Sequence, residues 1–239
     1  MGFCKKKKTI SRQEDDQETG RKWIWTALDT TTRLLVCFLV GDRTIEDARC
    51  FLTDLASRIE QLPLFVSDEL PHYADGLKEL FHNIITPEPT GRRGRPRAAQ
   101  KVVNADLDYA TVHKTRDKGR VVKVETRIVF GSAERIIKRM EQLPSKKINT
   151  SYVERSNLNW RIWDAHLTRK SLTFAKSVEW LRAKFSICVA FYNLIRPHES
   201  LSRREDKSFI PTTPAMVAGL TNHLWTIEEL LGLKYMSTK

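Results

Sequence analysis

Three acids stand where divalent-metal chemistry on a phosphodiester would need them. Asp29 closes the apolar run Trp23 to Leu28, Asp68 closes Leu64-Phe65-Val66-Ser67, and Glu154 lies within Asn149-Thr150-Ser151-Tyr152-Val153-Glu154-Arg155. The first two read as carboxylates at the ends of buried strands, the third as one on the first turn of a helix. Strand ends of an α/β sheet are where ligands gather, so side chains distant in sequence can meet there. Hard divalent cations take such oxygen donors, with water and phosphate filling the remaining positions. Unshielded carboxylates that close repel one another unless a metal or basic partner neutralises them. Each acid also has a local role open to it. Asp29 before Thr30-Thr31-Thr32 suits a turn, Asp68 before a helix suits an N-cap, and Ser151-Tyr152-Val153-Glu154 has the form of a capping box. Asn157 and Arg161, three and seven positions after Glu154, share its helix face and are suited to grip a phosphate backbone.

The elements that must position these residues follow from patterning. Trp23–Leu28 and Leu34–Val40 read as adjacent strands joined by a tight connection. Residues 44–61 carry apolar side chains at helical spacing, stopped by Pro63. Leu64–Ser67 is then a buried strand, with a helix near Asp75–Phe81 and a strand at Ile84–Thr86. This alternation gives an α/β fold around a mixed sheet. Residues 87–101, with Pro87, Pro89, Gly91, Gly94 and Pro96, form a basic mobile loop. Asp108–Thr115 and Val121–Phe130 flank Asp117-Lys118-Gly119, a hairpin signal, and Val122, Val124, Thr126, Ile128 and Phe130 alternate with charged residues as one buried face. The remainder is helical. A wide apolar stripe over Phe174–Ile195, ended by Pro197, reads as a core helix packed on a sheet.

The whole chain is basic, with 41 Lys+Arg against 29 Asp+Glu and a net charge of +12 in 239 residues, which favours a polyanionic partner. Residues 1–21 are almost entirely polar, and the expectation is a disordered leader whose Lys5–Lys8 run is solvated. Cys4, Cys37, Cys50 and Cys188 form no C-x-x-C pair and read as reduced, mostly buried thiols. No segment has the length and apolarity of a membrane span, so the expectation is a soluble, cytoplasmic, nucleoid-associated protein with no membrane partner.

Against this background two blocks resemble known ones. Asn149-Thr150-Ser151-Tyr152-Val153-Glu154-Arg155-Ser156-Asn157-Leu158 resembles the glutamate block of IS1-like insertion-sequence transposases of the DDE superfamily. Tyr192-Asn193-Leu194-Ile195-Arg196-Pro197-His198-Glu199-Ser200-Leu201 resembles the Y-N-x-x-R-P-H-x-S-L block found downstream in such enzymes. Thr26-Ala27-Leu28-Asp29 and Val66-Ser67-Asp68 fit the two aspartate blocks, and Thr213-Pro214-Ala215-Met216 with Gly219-Leu220-Thr221 fits the tail. The resemblance covers residues 21–233. It implies a ribonuclease-H-like mixed sheet flanked by helices over 22–201, with the basic loop 87–101 and the hairpin 108–130 inserted, and a C-terminal tail with a short helix over 202–239. It further implies that Asp29, Asp68 and Glu154 are catalytic and hold two Mg2+ (or Mn2+) ions about 3.5–4 Å apart, for cleavage of element ends and strand transfer into target DNA. By the same analogy Asp29 bridges the metals, Asp68 and Glu154 hold one each, and the enzyme is a homo-oligomer on double-stranded DNA. Related transposases carry a cysteine-rich, helix-turn-helix region before the core. Only residues 1–20 precede it here, so a truncated copy or a catalytic piece is expected.

Arg93-Gly94-Arg95-Pro96-Arg97 offers a second DNA contact, either as an A·T-selective minor-groove hook or as a nonspecific phosphate-contacting loop. His72 and His198 fit a turn and a helix end and are not assigned to catalysis. The rival readings are a catalytically inactive DNA-binding remnant and a ribonuclease-H-fold nuclease that cuts without joining.

Overall fold

The computed structural model describes residues 2–4, 20–87, 98–168, 172–205 and 208–232. In chain order the elements are β1 (Gly2–Cys4), β2 (Gly20–Leu28), β3 (Leu35–Gly41), α1 (Ile45–Ser57), β4 (Leu64–Ser67), α2 (Pro71–Leu80), β5 (His82–Ile85), β6 (Gln100–Val103), β7 (Asp108–Asp117), β8 (Arg120–Phe130), α3 (Ala133–Gln142), α4 (Ser151–Trp163), α5 (Val178–Ala190), β9 (Arg203–Glu205), β10 (Ser208–Ile210), α6 (Pro214–Val217) and α7 (Ile227–Gly232). A 3-10 turn spans Ala165–Leu167 and a π-helix spans Phe191–Ile195. The molecule is mixed α/β, and it divides into two compact units: residues 1–43 with 151–239, and residues 44–150.

In the first unit β2 and β3 form an antiparallel pair, Trp23 opposite Gly41 through Leu28 opposite Leu35, with a bulge at Ala27/Leu28. β1 pairs antiparallel with Gly20–Lys22. The leader expected to be structureless thus contributes a strand, because ladder hydrogen bonds to a free edge require no apolar side chains. Lys5–Lys8 lie outside the described residues. α5 packs on β3, and the core gathers Leu35, Val40, Trp160, Leu167, Ala175, Leu181, Phe185 and Tyr192. Helix α5 starts at Val178, where the Ser177 hydroxyl accepts from the Trp180 amide, and not at Phe174. Its buried stripe is narrower than the pattern predicts: Leu181 and Phe185 are buried, whereas Trp180 is 62% exposed and Ile187 63%.

In the second unit β4 runs parallel to β7 and β7 antiparallel to β8, a mixed three-stranded sheet accompanied by α1, α2 and α3. β5 and β6 form a separate antiparallel pair that takes in Gln100 and Lys101, the end of the predicted loop. The β7–β8 turn is the predicted one. Lys118 (φ +44°) and Gly119 (φ +83°) are both left-handed, as a two-residue type I′ turn requires. The predicted buried face of β8 is not buried: Val122 is 61% exposed, Val124 55% and Ile128 44%. Alternation identifies two faces, but burial of either needs a layer on top of it. Strand β4 is half-buried throughout, not fully buried. The strands leading to Asp29 and Asp68 lie in different sheets, β1–β2–β3 and β4–β7–β8.

Candidate functional site

The three acids do not share a unit. Asp29 and Glu154 belong to the first, Asp68 to the second. Asp29 directly follows β2, and its carboxylate organises the turn into β3. Oδ1 accepts from the Thr31 amide at 3.0 Å; Oδ2 accepts from the Thr32 amide at 3.1 Å and the Thr32 hydroxyl at 2.5 Å. The Asp29 amide in turn donates to Leu34 O at 2.9 Å. This is the turn-closing role that Thr30-Thr31-Thr32 suggests. An ionised carboxylate offers about four lone-pair directions, so three accepted bonds leave room for one further ligand.

Asp68 is exposed and follows β4 directly. It is not the N-cap of α2. That position is Leu70, which makes no side-chain cap, with Pro71 supplying the first helical residue. The only described bond to its carboxylate is a long one from the Leu70 amide, 3.4 Å. The Asp68 carbonyl accepts from Ser67 Oγ at 2.6 Å, and Ser67 Oγ is hydrogen-bonded to the Tyr109 hydroxyl at 2.7 Å. Burial raises the Tyr109 pKa, the Ser67 hydrogen bond opposes this, and the Asp68 charge adds to the rise.

Glu154 is exposed on the first turn of α4, as expected, while Asn157 and Arg161 farther along the same face are half-buried. The buried side of α4 explains its placement. Trp160 packs edge-to-face on Phe185 at 5.3 Å and on Tyr192 at 5.1 Å, and Trp163 adjoins it at 5.4 Å. Arg33, at the end of the Asp29 turn, lies 3.7 Å from the ring centre of Tyr152, two residues before Glu154. The turn bearing Asp29 and the helical turn bearing Glu154 are therefore neighbours.

The downstream block secures the same turn. Asn193 accepts from the Leu35 amide at 3.1 Å and donates to the Leu35 carbonyl at 3.0 Å, a two-point clasp across 158 positions. The Tyr192 hydroxyl donates to Arg33 O at 2.9 Å. Burial pushes the Tyr192 pKa up to about 12, although Arg33 and Arg196 pull the other way, so it stays a neutral donor. His198 is half-buried. Its burial, then the charges of Arg33 and Arg196, lower its pKa, with Glu199 opposing. The tail block docks here as well: the Thr213 hydroxyl caps α6, Pro214 and Ala215 are buried, and the Trp225 amide donates to Leu194 O at 3.2 Å.

Two buried acids escaped the reading of the sequence. Asp108 is fully buried at the start of β7, between Arg135 (2.6 Å) and Arg139 (3.0 Å). Asp164 is fully buried after α4 and accepts from Lys184 Nζ at 2.7 Å. The charge pattern of a single chain does not distinguish such pairs from solvated ones. Arg93, Arg95 and Arg97 lie outside the described residues. Cys37 is buried, Cys188 half-buried and Cys50 exposed. Among the described residues no three His, Cys, Asp or Glu side chains form a group that could hold a metal ion. No described helix is long and apolar enough to cross a membrane. Comparison with protein-family models, with curated proteins and with solved structures finds no match.

Proposed function

We propose that the chain is the catalytic part of a DDE insertion-sequence transposase with a ribonuclease-H-like core, acting on double-stranded DNA as a homo-oligomer. Asp29, Asp68 and Glu154 are its acidic residues. The observation that carries this reading is the adjacency of the Asp29 turn and the Glu154 turn, clasped by Arg33 on Tyr152 and by Asn193 on Leu35. The Asp29, Glu154 and Tyr192–Leu201 blocks belong to the first unit, and the Asp68 block to the second. Within the first unit the donors suit Mg2+ or Mn2+: both are carboxylate oxygens, Glu154 is exposed, and Asp29 retains a lone-pair direction, while Asp68 is assigned by the resemblance alone. Two such ions, when bound, stabilise charge on the attacking and leaving oxygens of an in-line displacement. The protein's own contribution is positioning. The Asp29 turn is fixed by its threonines and by Asn193, and Glu154 is fixed by the aromatic packing beneath α4. Hydrolysis of one phosphodiester at an element end leaves a 3′-hydroxyl. That hydroxyl then displaces a 3′-oxygen in the target strand, so one bond forms as one breaks.

A second reading has its own support. Asp29 already serves its turn with three accepted hydrogen bonds, and no metal-holding trio occurs among the described residues. This fits a DNA-binding remnant without catalysis. The two are separated by nicking and strand transfer on duplexes carrying the DNA that flanks the coding sequence, with Mg2+ and with EDTA. Transferase activity requires Mg2+-dependent products from the wild type and a loss of about a hundredfold or more, roughly 2.7 kcal/mol of barrier, in Glu154→Gln and Asp68→Asn. Asp29→Asn belongs in the same set with its fold checked by thermal melting, because the amide has one acceptor oxygen and replaces only one side of the turn's hydrogen bonds. Equal behaviour of wild type and variants, with binding retained, leaves the remnant reading.

A further inference from the structure

We propose that Arg33 and Arg196 form a binding site for a phosphodiester of the DNA strand, beside the Asp29 and Glu154 turns. The identity of this ligand rests on the DNA-transfer reading above.

The site is built within the first unit from residues that no strand or helix pattern singles out. Arg33 is a non-glycine residue held at φ +64°, a left-handed conformation costing roughly 1–2 kcal/mol. The strain persists because the surroundings fix both of its ends. Its carbonyl accepts from Tyr192, its Nη1 donates to Thr30 O, and its guanidinium carbon lies over the Tyr152 ring. Arg196 ends the π-helix, its amide donating to Phe191 O at 2.9 Å, and its guanidinium sits 4.6 Å from the ring centre of Trp163. Both charges act on the same two neighbours, Tyr192 and His198, so the cations approach one locus from two elements.

Neither arginine is in an ion pair with a described carboxylate. Among the described residues, buried Lys22 is matched by Asp42, and the half-buried Lys184 by Asp164 and Arg135 and Arg139 by Asp108. Stacking on an aromatic face orients a guanidinium and leaves its edge donors directed outward. Each guanidinium has five N–H donors in a planar fork that suits phosphate oxygens, and a single described bond, to Thr30 O, uses one of Arg33's. Burial and the neighbouring arginines lower the His198 pKa, and Ser200 Oγ lies 3.1 Å from its Nδ1. The occupant is an anion with several oxygens, and the +12 chain makes a nucleic-acid strand the natural source. A phosphate held here would register the strand beside Asp29, four residues before Arg33.

The test is fluorescence anisotropy of the full chain with a labelled duplex of flanking DNA, in EDTA, at several salt concentrations between roughly 50 and 200 mM. Replacing both arginines (Arg33→Gln with Arg196→Gln) is expected to weaken binding about tenfold or more and to make the salt slope shallower by about 2. Arg196→Gln alone, at an exposed position, reads about half of that slope change without risk to the turn. Arg49→Gln, which removes an exposed cation paired with Glu79 in the other unit, is the control and should change neither by as much. Inorganic phosphate at matched ionic strength should displace the duplex from the wild type more readily than from the double variant if the site takes any phosphate. Equal displacement assigns it to the strand alone. A double variant, or a folded Arg196→Gln, with wild-type affinity and slope would overturn the site, as would an equal effect of Arg49→Gln. Because metal is absent, a wild type that binds through these arginines yet never nicks DNA loses the transferase reading and keeps this one.

Discussion

Asp164 shows how a single buried acid sets a pH response. Its side chain is fully buried, and Oδ1 accepts from Lys184 Nζ at 2.7 Å, from the His166 amide at 2.9 Å and from the His166 ring at 2.9 Å, while Oδ2 has no partner among the described residues. Burial pushes its pKa up, but the hydrogen bonds from Lys184 and His166, with the Lys184 charge, outweigh it and hold the group below its ordinary 3.8. The folded protein therefore binds this proton less tightly than the unfolded chain does. Stabilisation from Asp164 is complete above the unfolded value and is lost as pH falls through the folded one. Melting from about pH 6 downward should show the wild type losing stability more steeply below about pH 4 than Asp164→Asn, which is less stable at neutral pH. Parallel curves would remove Asp164 from the acid response. At this scale the sequence was legible for Asp29, whose run of threonines announced its turn. It was not legible for Asp164, because its partner Lys184 lies on another helix.

The two-residue block Tyr192-Asn193 acts on an element, not on a substrate. Asn193 supplies both a donor and an acceptor to the backbone of Leu35, at the first residue of β3, and Leu35 is buried. Asn193→Ala leaves an amide and a carbonyl there without those partners, and stability should fall by about 2–3 kcal/mol. The turn ahead of β3 should loosen with it, which hydrogen exchange at Thr31, Thr32 and Leu35 would register as faster exchange than elsewhere in β2 and β3. Exchange that rises equally across the unit would show a general packing role instead. Periodicity located α1, α5, β4 and the β7–β8 hairpin, because each carries its signal in local spacing. The π-helix at Phe191–Ile195 and the exposed apolar face of β8 carried none. One depends on a backbone hydrogen-bond choice at a helix end, the other on whether a covering layer exists.

At the scale of the molecule the second unit, residues 44–150, has its own polar keystone. Gly131 sits at φ +97°, and a Cβ there would collide with Oδ1 of Asp108, the buried acid that Arg135 and Arg139 neutralise. Gly131→Ala combines a strained backbone with displacement of that carboxylate and should cost about 2 kcal/mol or more. Hydrogen exchange should then quicken through β7, β8 and α3 while the Trp160–Phe185–Tyr192 cluster of the first unit keeps its protection. Loss of protection in both units together would show that they unfold as one. The boundaries at Arg43/Thr44 and Thr150/Ser151 place the β7–β8 hairpin within a unit that also holds α1, β4 and α2. A linear reading took these elements into one continuous core.

By itself the sequence determined the α/β class, the basic character, the element carrying each acid and the blocks that resemble a transposase, because these are properties of composition and of spacing along one element. Which strands pair, which apolar face is covered, what neutralises Asp108 and Asp164, and which turn Asn193 holds were decided only by tertiary structure. Such contacts join distant residues, Tyr192 and Arg33 being 159 positions apart, and a local pattern carries no information about the partner that a distant segment will supply.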